Sequence, residues 1–568
     1  MARPLRSAGW VRPVPALTVL LLAGPVAAGL AGALLPAFGW MPALGGNALS
    51  LDPWRRLAEW PGLVAAVRLS VVTGLGATAI SLAITLLIVA ALQGTRAFAL
   101  VTRALAPLLS LPHAAAAFGL AFLIAPSGWV ARAVSPWATG WERPPDLLIL
   151  GDPAGLSLIA GLVVKEVPFL LLMTLAALGQ VSAAQRMTVA RSLGYGRVTG
   201  WVKTVLPAVY AQIRLPVYAV LAYSMSVVDV ALILGPTRPP TLAVQIVDWM
   251  GQRDLSLRLV AAAGAVLQLA LVLGTLALWH GAERGLARLG QGWAAGGGRG
   301  RGVDKVARPL ALGVAGLAGA AVLLGLAGLA LWSVAGLWRF PDLWPASFSA
   351  RHWQGQSRGV LDAVRTTALV GVLASALALA LVIGALEAEF RARARPSRRF
   401  TALVYLPLLV PQVAFLPGLT TLALIVGLDG QVVAVTVAHL VFVLPYVYLA
   451  LADPWRAWDT RCATIAHSLG AGPGRVLWAV RLPMLTRALA IAAAIGFATS
   501  VAQYLPTLLL GAGRVETLTT EAVALAAGGN RRLIGVWAVM QMLLPLVVFV
   551  GALALPALLF PRLKGMRA

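Results

Sequence analysis

The sequence is poor in cysteine, lysine and acid. Its one cysteine, Cys462, leaves no room for an intrachain disulfide framework or a cysteine-based metal site. The only lysines are Lys165, Lys203, Lys305 and Lys564, and none lies in a G-x-x-x-x-G-K-[ST] stretch, so the chain has no phosphate-cradling loop to hold ATP. The histidines (His113, His280, His352, His439 and His467) are scattered and form no H-E-x-x-H pair, so the expectation is that the chain itself binds no metal or cofactor. Charged residues make up 11% of the 568, where soluble chains carry about 25%. That shortage excludes an ordinary cytosolic protein.

What is abundant is apolar: 60% of the residues, with a mean hydropathy of +0.86. A helix crossing ~30 Å of hydrocarbon needs about 20 such residues. Twelve runs of that kind are read, at 17–38, 63–92, 104–125, 156–178, 213–234, 257–279, 310–335, 361–386, 401–428, 432–452, 488–510 and 534–560. The expected fold is therefore all-α, a polytopic membrane protein with twelve transmembrane helices. The net charge of +25 comes from arginines clustered between the apolar runs rather than along one helix face. Basic connecting loops of a membrane protein account for it, and no nucleic acid partner is expected.

The clusters also orient the chain. With a cytoplasmic amino terminus, 28 Lys and Arg fall on inside segments, among them Arg3, Arg6, Arg395, Arg562, Lys564 and Arg567, against 12 outside. Both termini are thereby expected in the cytoplasm. The outer loops hold tryptophans such as Trp54, Trp129, Trp137 and Trp344, as interfacial anchors would. The first apolar run follows a basic lead like a secretory signal, but it exceeds the 7 to 15 residues of a signal core. A retained helix is expected.

The chain repeats itself. Thr188-Val-Ala-Arg-Ser-Leu-Gly-Tyr-Gly196, with Leu206-Pro207 beyond it, recurs as Thr464-Ile-Ala-His-Ser-Leu-Gly-Ala-Gly472 with Leu482-Pro483, at a constant offset of 276. Leu111-Pro112 likewise matches Val410-Pro411, Pro168-Phe169 matches Pro445-Tyr446, Gly119 matches Gly418, and Ala66-Val67-Arg68 matches Ala363-Val364-Arg365. Two six-helix halves in tandem follow, 1–290 and 309–568, joined by a Gly/Arg-rich linker at 291–308 read as a flexible tether. Six is even, so both halves insert the same way round.

The repeated loop falls on the cytoplasmic side between the fourth and fifth spans of each half, and its glycines predict two short helices with a sharp turn between them. Its residues Thr188, Ala190, Gly194, Gly196, Leu206, Pro207 and Thr464, Ala466, Gly470, Gly472, Leu482, Pro483 resemble the EAA loop of the membrane subunits of binding-protein-dependent ATP-binding cassette (ABC) importers. The departure from that pattern is the leading acid, replaced here by Thr188 and Thr464; the contacts it would make are expected to be absent or supplied by another group, Asp459 being the candidate in the second half. Length, duplication and loop together make the chain similar to the fused two-domain permeases of thiamine and ferric-iron uptake. The resemblance implies a MetI-like fold and a bacterial inner-membrane location. It also implies two copies of a cytoplasmic ABC ATPase, which would use ATP and Mg, and an extracytoplasmic solute-binding protein. The chain would then be a transport subunit and not itself an enzyme.

Charges inside a span cost about 2.5 to 3.5 kcal/mol on insertion scales, so Lys165, Glu166 and Asp229 stand out. Glu166 and Asp229, with Gln503 and Tyr504 in the equivalent stretch of the second half, are the candidate solute pathway and suit a cationic or polar solute. The alternative is an ion-gradient-driven secondary transporter of six plus six helices. Few intramembrane acids, and the lack of a Gly-x-x-x-Asp-Arg motif in the 93–98 loop, count against it.

Overall fold

The computed structural model describes residues 11–42, 45–393 and 397–559. Arg3, Arg6, Arg395, Arg562, Lys564 and Arg567 of the charge count lie outside them, as does the end of the last apolar run.

The first half of the chain forms α1 (Val14–Ala37), α2 (Asp52–Glu59), α3 (Leu63–Leu92), α4 (Arg96–Ser110), α5 (His113–Ile124), α6 (Trp129–Val134) and α7 (Leu156–Gln180). It continues with α8 (Ala183–Ser192), α9 (Arg197–Thr204), α10 (Leu206–Ser226), α11 (Asp229–Leu234), α12 (Leu242–Gly251) and α13 (Leu257–Ala295). The second half forms α14 (Val303–Val334), α15 (Arg351–Arg391), α16 (Arg398–Leu409), α17 (Gln412–Ile425), α18 (Val432–Ala457), α19 (Arg461–Ser468) and α20 (Pro473–Val476). After a π turn at Leu477–Arg481 come α21 (Leu482–Met484), α22 (Thr486–Val501), α23 (Leu505–Gly511), α24 (Leu518–Ala526) and α25 (Arg531–Leu559). Among the described residues the only β pairing is two isolated bridges.

Among the described residues nine helical segments, α5 with α6 counted as one, are long and apolar enough to cross a membrane, and the number reaches twelve if each of three bent pairs is one span. The protein is thus a polytopic all-α membrane protein, but several expected spans are not single rods. The 401–428 run is split at Val410-Pro411, where α16 and α17 meet at 89°; its counterpart at 104–125 breaks at Leu111-Pro112, between α4 and α5. A proline carries no N–H and holds the residue before it extended, which ends the preceding helix in both halves. The runs at 213–234 and 488–510 also break, between α10 and α11 and between α22 and α23. Asp229 therefore starts a short helix rather than lying deep in a long one.

The two halves interlock. The first helix of each packs on the other half, α1 against α17 and α14 against α5. The crossings are backbone on backbone. A Cβ added to Gly418 would come within 2.0 Å of the Gly29 carbonyl oxygen, and one added to Gly119 within 3.0 Å of the Gly325 carbonyl carbon. The Gly119 and Gly418 correspondence seen in the sequence is thus a shared need for close helix approach. Within each half a further tie is repeated. Ser70 Oγ on α3 accepts the Leu242 N–H that opens α12 (3.1 Å), and Thr367 Oγ1 on α15 accepts the Leu518 N–H that opens α24 (3.0 Å). Each hydroxyl satisfies a helix-start donor that would otherwise be orphaned in an apolar interior.

Candidate functional site

Both repeated loops form the expected pair of short helices. In each, the first helix ends on a left-handed glycine, Gly194 at φ +81 and Gly470 at φ +80. The next N–H reaches back five residues, Tyr195 to the Ala190 carbonyl (3.1 Å) and Ala471 to that of Ala466 (2.9 Å). This glycine-terminated cap lets the chain reverse without leaving the last carbonyls unpaired. Leu206-Pro207 and Leu482-Pro483 then occupy the first positions of α10 and α21, where a missing N–H costs nothing.

Inward and outward faces are matched as well. Ala190 is buried and Ala466 half-buried, whereas Val189 and Leu193 are 59% and 57% exposed and their counterparts Ile465 and Leu469 are 60% and 82% exposed. Thr188 and Thr464, at the position of the missing acid, are exposed and turn their hydroxyls back to the carbonyls of Ala184 (3.0 Å) and Thr460 (3.4 Å). Asp459 is engaged by the Arg461 side chain at 2.6 Å, and the hydrogen bonds from that arginine hold its carboxyl below the ordinary value.

What holds the two loops in place differs. The first is bound to the linker, which is not a loose tether. Asp304 caps α9, its carboxylate accepting the N–H groups of Arg197 (2.7 Å) and Val198 (2.9 Å). The Gly196 N–H donates to the Arg299 carbonyl (2.9 Å), Arg301 Nε to that of Gly194 (2.9 Å) and Lys203 Nζ to that of Gly298 (3.0 Å). Short loop and short linker each carry backbone groups that only the other can pair. In the second half nothing lies within 4 Å of a Cβ placed on Gly470 or Gly472. That loop rests instead on a buried ion cluster. Arg481, in the π turn, donates to Glu387 Oε2 (3.1 Å) and to the Trp455 carbonyl (2.8 Å), and its guanidinium lies over Phe390, Trp455 and Trp458 at 4.1, 4.3 and 4.8 Å. Arg391 Nε completes the cluster on Glu387 Oε1 at 2.6 Å.

Of the candidate pathway residues, Glu166, Asp229 and Tyr504 come together where the halves meet. Glu166 and Asp229 are buried, while Gln503 and Tyr504 are half-buried. Asp229 lies within electrostatic range of Tyr504, and Glu166 within range of Tyr446, so each first-half acid has a second-half phenol in its neighbourhood. Lys165 lies within electrostatic range of Glu166 but is held by other partners. Its ammonium caps the end of α4, donating to the carbonyls of Leu111 (2.5 Å) and Leu108 (3.3 Å). His113 is a further member of the group, one not among the pathway residues expected from the sequence. Its Nε2 lies 3.8 Å from Glu166 Oε1 and its ring packs on Tyr223 at 5.0 Å. The available signal was its place directly after the Leu111-Pro112 break. His439 is a packing residue, joining α18 to Ser500 and Thr507 at 2.8 Å each. Among the described residues no cluster of His, Cys, Asp and Glu is arranged to hold a metal ion.

No protein-family model matches the chain. It is 34% identical over 508 residues to the inner membrane ABC transporter permease protein YnjC of Escherichia coli K12, spanning 88% of this chain and 90% of that one. It is 29% identical over 185 residues to the molybdenum transport system permease protein ModB of Mycobacterium tuberculosis H37Rv, covering 30% of this chain and 68% of the relative. Over 111 residues it is 27% identical to the spermidine/putrescine transport system permease protein PotC of Haemophilus influenzae, 19% of this chain and 43% of the relative.

Proposed function

The chain belongs to the permease proteins of ABC transporters, and from that premise we propose that it supplies the whole membrane pathway of an importer. Its halves, 1–290 and 309–568, enclose the solute route, and the 291–308 linker joins them on the cytoplasmic side of an inner membrane, where both termini also lie. Two copies of a separate ATPase dock there, one under each repeated loop, and an extracytoplasmic binding protein delivers the solute.

The observation that carries this reading is the matched pair of bare apolar side chains, Val189 with Leu193 and Ile465 with Leu469, at identical register in both loops. Burying a leucine or valine side chain contributes roughly 1.5–3 kcal/mol. A loop that keeps two of them in water, on a first helix closed by its glycine cap, is shaped for a partner's groove. The partner binds ATP with Mg, and its closure moves the two loops together. The halves rock with them, and the pathway opens alternately to either side. ATP drives this only because it binds one state of the complex better than the other.

For the solute, the interior offers two carboxylates, Glu166 and Asp229, with the phenols of Tyr446 and Tyr504 within electrostatic range, while the Lys165 ammonium is bound to helix carbonyls. A buried acid pair flanked by phenols matches a cation. PotC carries spermidine and putrescine in its name; both are cations that such a lining would accept. The test of docking is reconstitution with the ATPase. Leu193→Asp and Leu469→Asp change exposed side chains, so the chain still inserts; the expected result is loss of ATPase retention, and full retention by both would overturn the docking reading.

A further inference from the structure

The linker does more than hold the first loop. Between it, α9 and the end of α3 lies an open hollow of ≈ 690 Å³ on which five basic side chains converge: Arg191, Arg197, Arg301, Lys305 and Arg308. The one acid in its wall, Asp304, is held by two backbone N–H groups and offsets one of the five charges, leaving an excess of four. Among the described residues none of the five basic groups takes part in an ion pair. So many like charges around one cavity repel one another unless an anion sits between them.

A topological excess of arginine needs only to lie in a connecting segment; it need not line one hollow. Nor does the second half repeat the arrangement. Arg191 and Arg197 correspond there to His467 and Pro473, and no linker packs on that loop. The height of the hollow narrows the ligand further. Its floor includes Ala91, in the last turn of the α3 span, and Pro309, near the start of the α14 span. On α14 the basic residues alternate with apolar ones left in the open, Val303, Val306 and Leu310 at 47%, 68% and 53% exposure. Basic groups interleaved with bare apolar ones at a helix entering the bilayer mark the headgroup layer.

We propose that this hollow is a phosphate-ester site, filled by the headgroup of an anionic phospholipid from the leaflet on the loop side. The linker supplies three of the five basic groups, so the site exists only because the two halves are one chain. A soluble phosphate ester offers the same chemistry, and the test separates the two sources.

The full-length protein in detergent is titrated with phosphatidylglycerol, with phosphatidylcholine and with glycerol 3-phosphate, and binding is followed by native mass spectrometry. One phosphatidylglycerol is expected to bind saturably, and phosphatidylcholine is not. Each basic group near a membrane surface contributes about 1 kcal/mol to anionic lipid binding, so Lys305→Gln/Arg308→Gln is expected to weaken it about thirty-fold. Arg284→Gln/Arg288→Gln removes the same charge from the exposed end of α13 and is expected to leave binding unchanged. Should the first pair fail to fold, Arg191→Gln, exposed on α8, is expected to weaken binding roughly fivefold by itself. Saturation by glycerol 3-phosphate alone, lost in the same variants, supports the site with a soluble source. Absence of saturable binding by either ester, or equal loss in both pairs, overturns it. No ATPase is present in the measurement, so the outcome is independent of the docking reading.

Discussion

Arg481 and Glu387 illustrate how one buried pair can hold a surface loop. Their side chains are 3% and 4% exposed, and Glu387 also carries Arg391, so removing the glutamate takes the carboxylate away from two buried guanidinium groups at once. Glu387→Gln is expected to cost about 3–5 kcal/mol, seen as a fall in thermal unfolding temperature in detergent. Arg461→Gln, at an exposed pair in the same loop, is expected to leave that temperature where it was. Asp152 gives a pH signature. Partial burial alone would raise its carboxyl, but hydrogen bonds from Ser157 and Leu156 outweigh it and hold the group below 3.8. The stabilisation is then complete above the ordinary value and fades as pH falls through the lowered one. Unfolding followed from pH 5 to 2.5 should show a steeper loss in the wild type than in Asp152→Asn. In the pathway, Asp229→Asn is expected to abolish solute-stimulated ATPase activity in the reconstituted complex, and unchanged stimulation would remove that residue from the solute route.

At the scale of elements, each loop is expected to contribute separately to ATPase binding. Leu469→Asp and Leu193→Asp should each lower retention of the ATPase by tenfold or more, as loss of a central apolar anchor does, and pull-down of the purified complex measures it. The existence of the spans was legible in the sequence because hydrocarbon thickness dictates length and composition alone. Their breaks were not. Pro112 and Pro411 end helices, yet Pro168, Pro216 and Pro445 sit inside helices that continue; in an all-apolar run, only the neighbouring helices decide which outcome a proline has. The loops were legible because the glycine, the Leu-Pro pair and the spacing between them were doubled in register. Their supports were not, because Asp304 and Glu387 reach them from distant segments. Glu387 had one visible clue, an acid in an apolar run four residues before Arg391.

At the scale of the whole molecule, each half is incomplete without the other. The tandem repeat was plain from the sequence, but the exchange of first helices was not, since a repeat gives correspondence without saying which copy touches which. If the chain is split at Gly297 and the two parts are co-expressed, they are expected to copurify, held by α1 on α17 and α14 on α5. Gly418→Leu in the split protein should abolish copurification, because the added side chain would displace the α1 backbone.

Those two glycine crossings also set the mechanics. Main chain resting on main chain leaves no side chain to swing aside or compress, so these points keep their spacing while longer side-chain contacts elsewhere slide. In the proposed rocking they are the fulcrums, so a stroke delivered at the loops would be largest farthest from them, and the leverage of that motion would be set in two places where almost nothing is present.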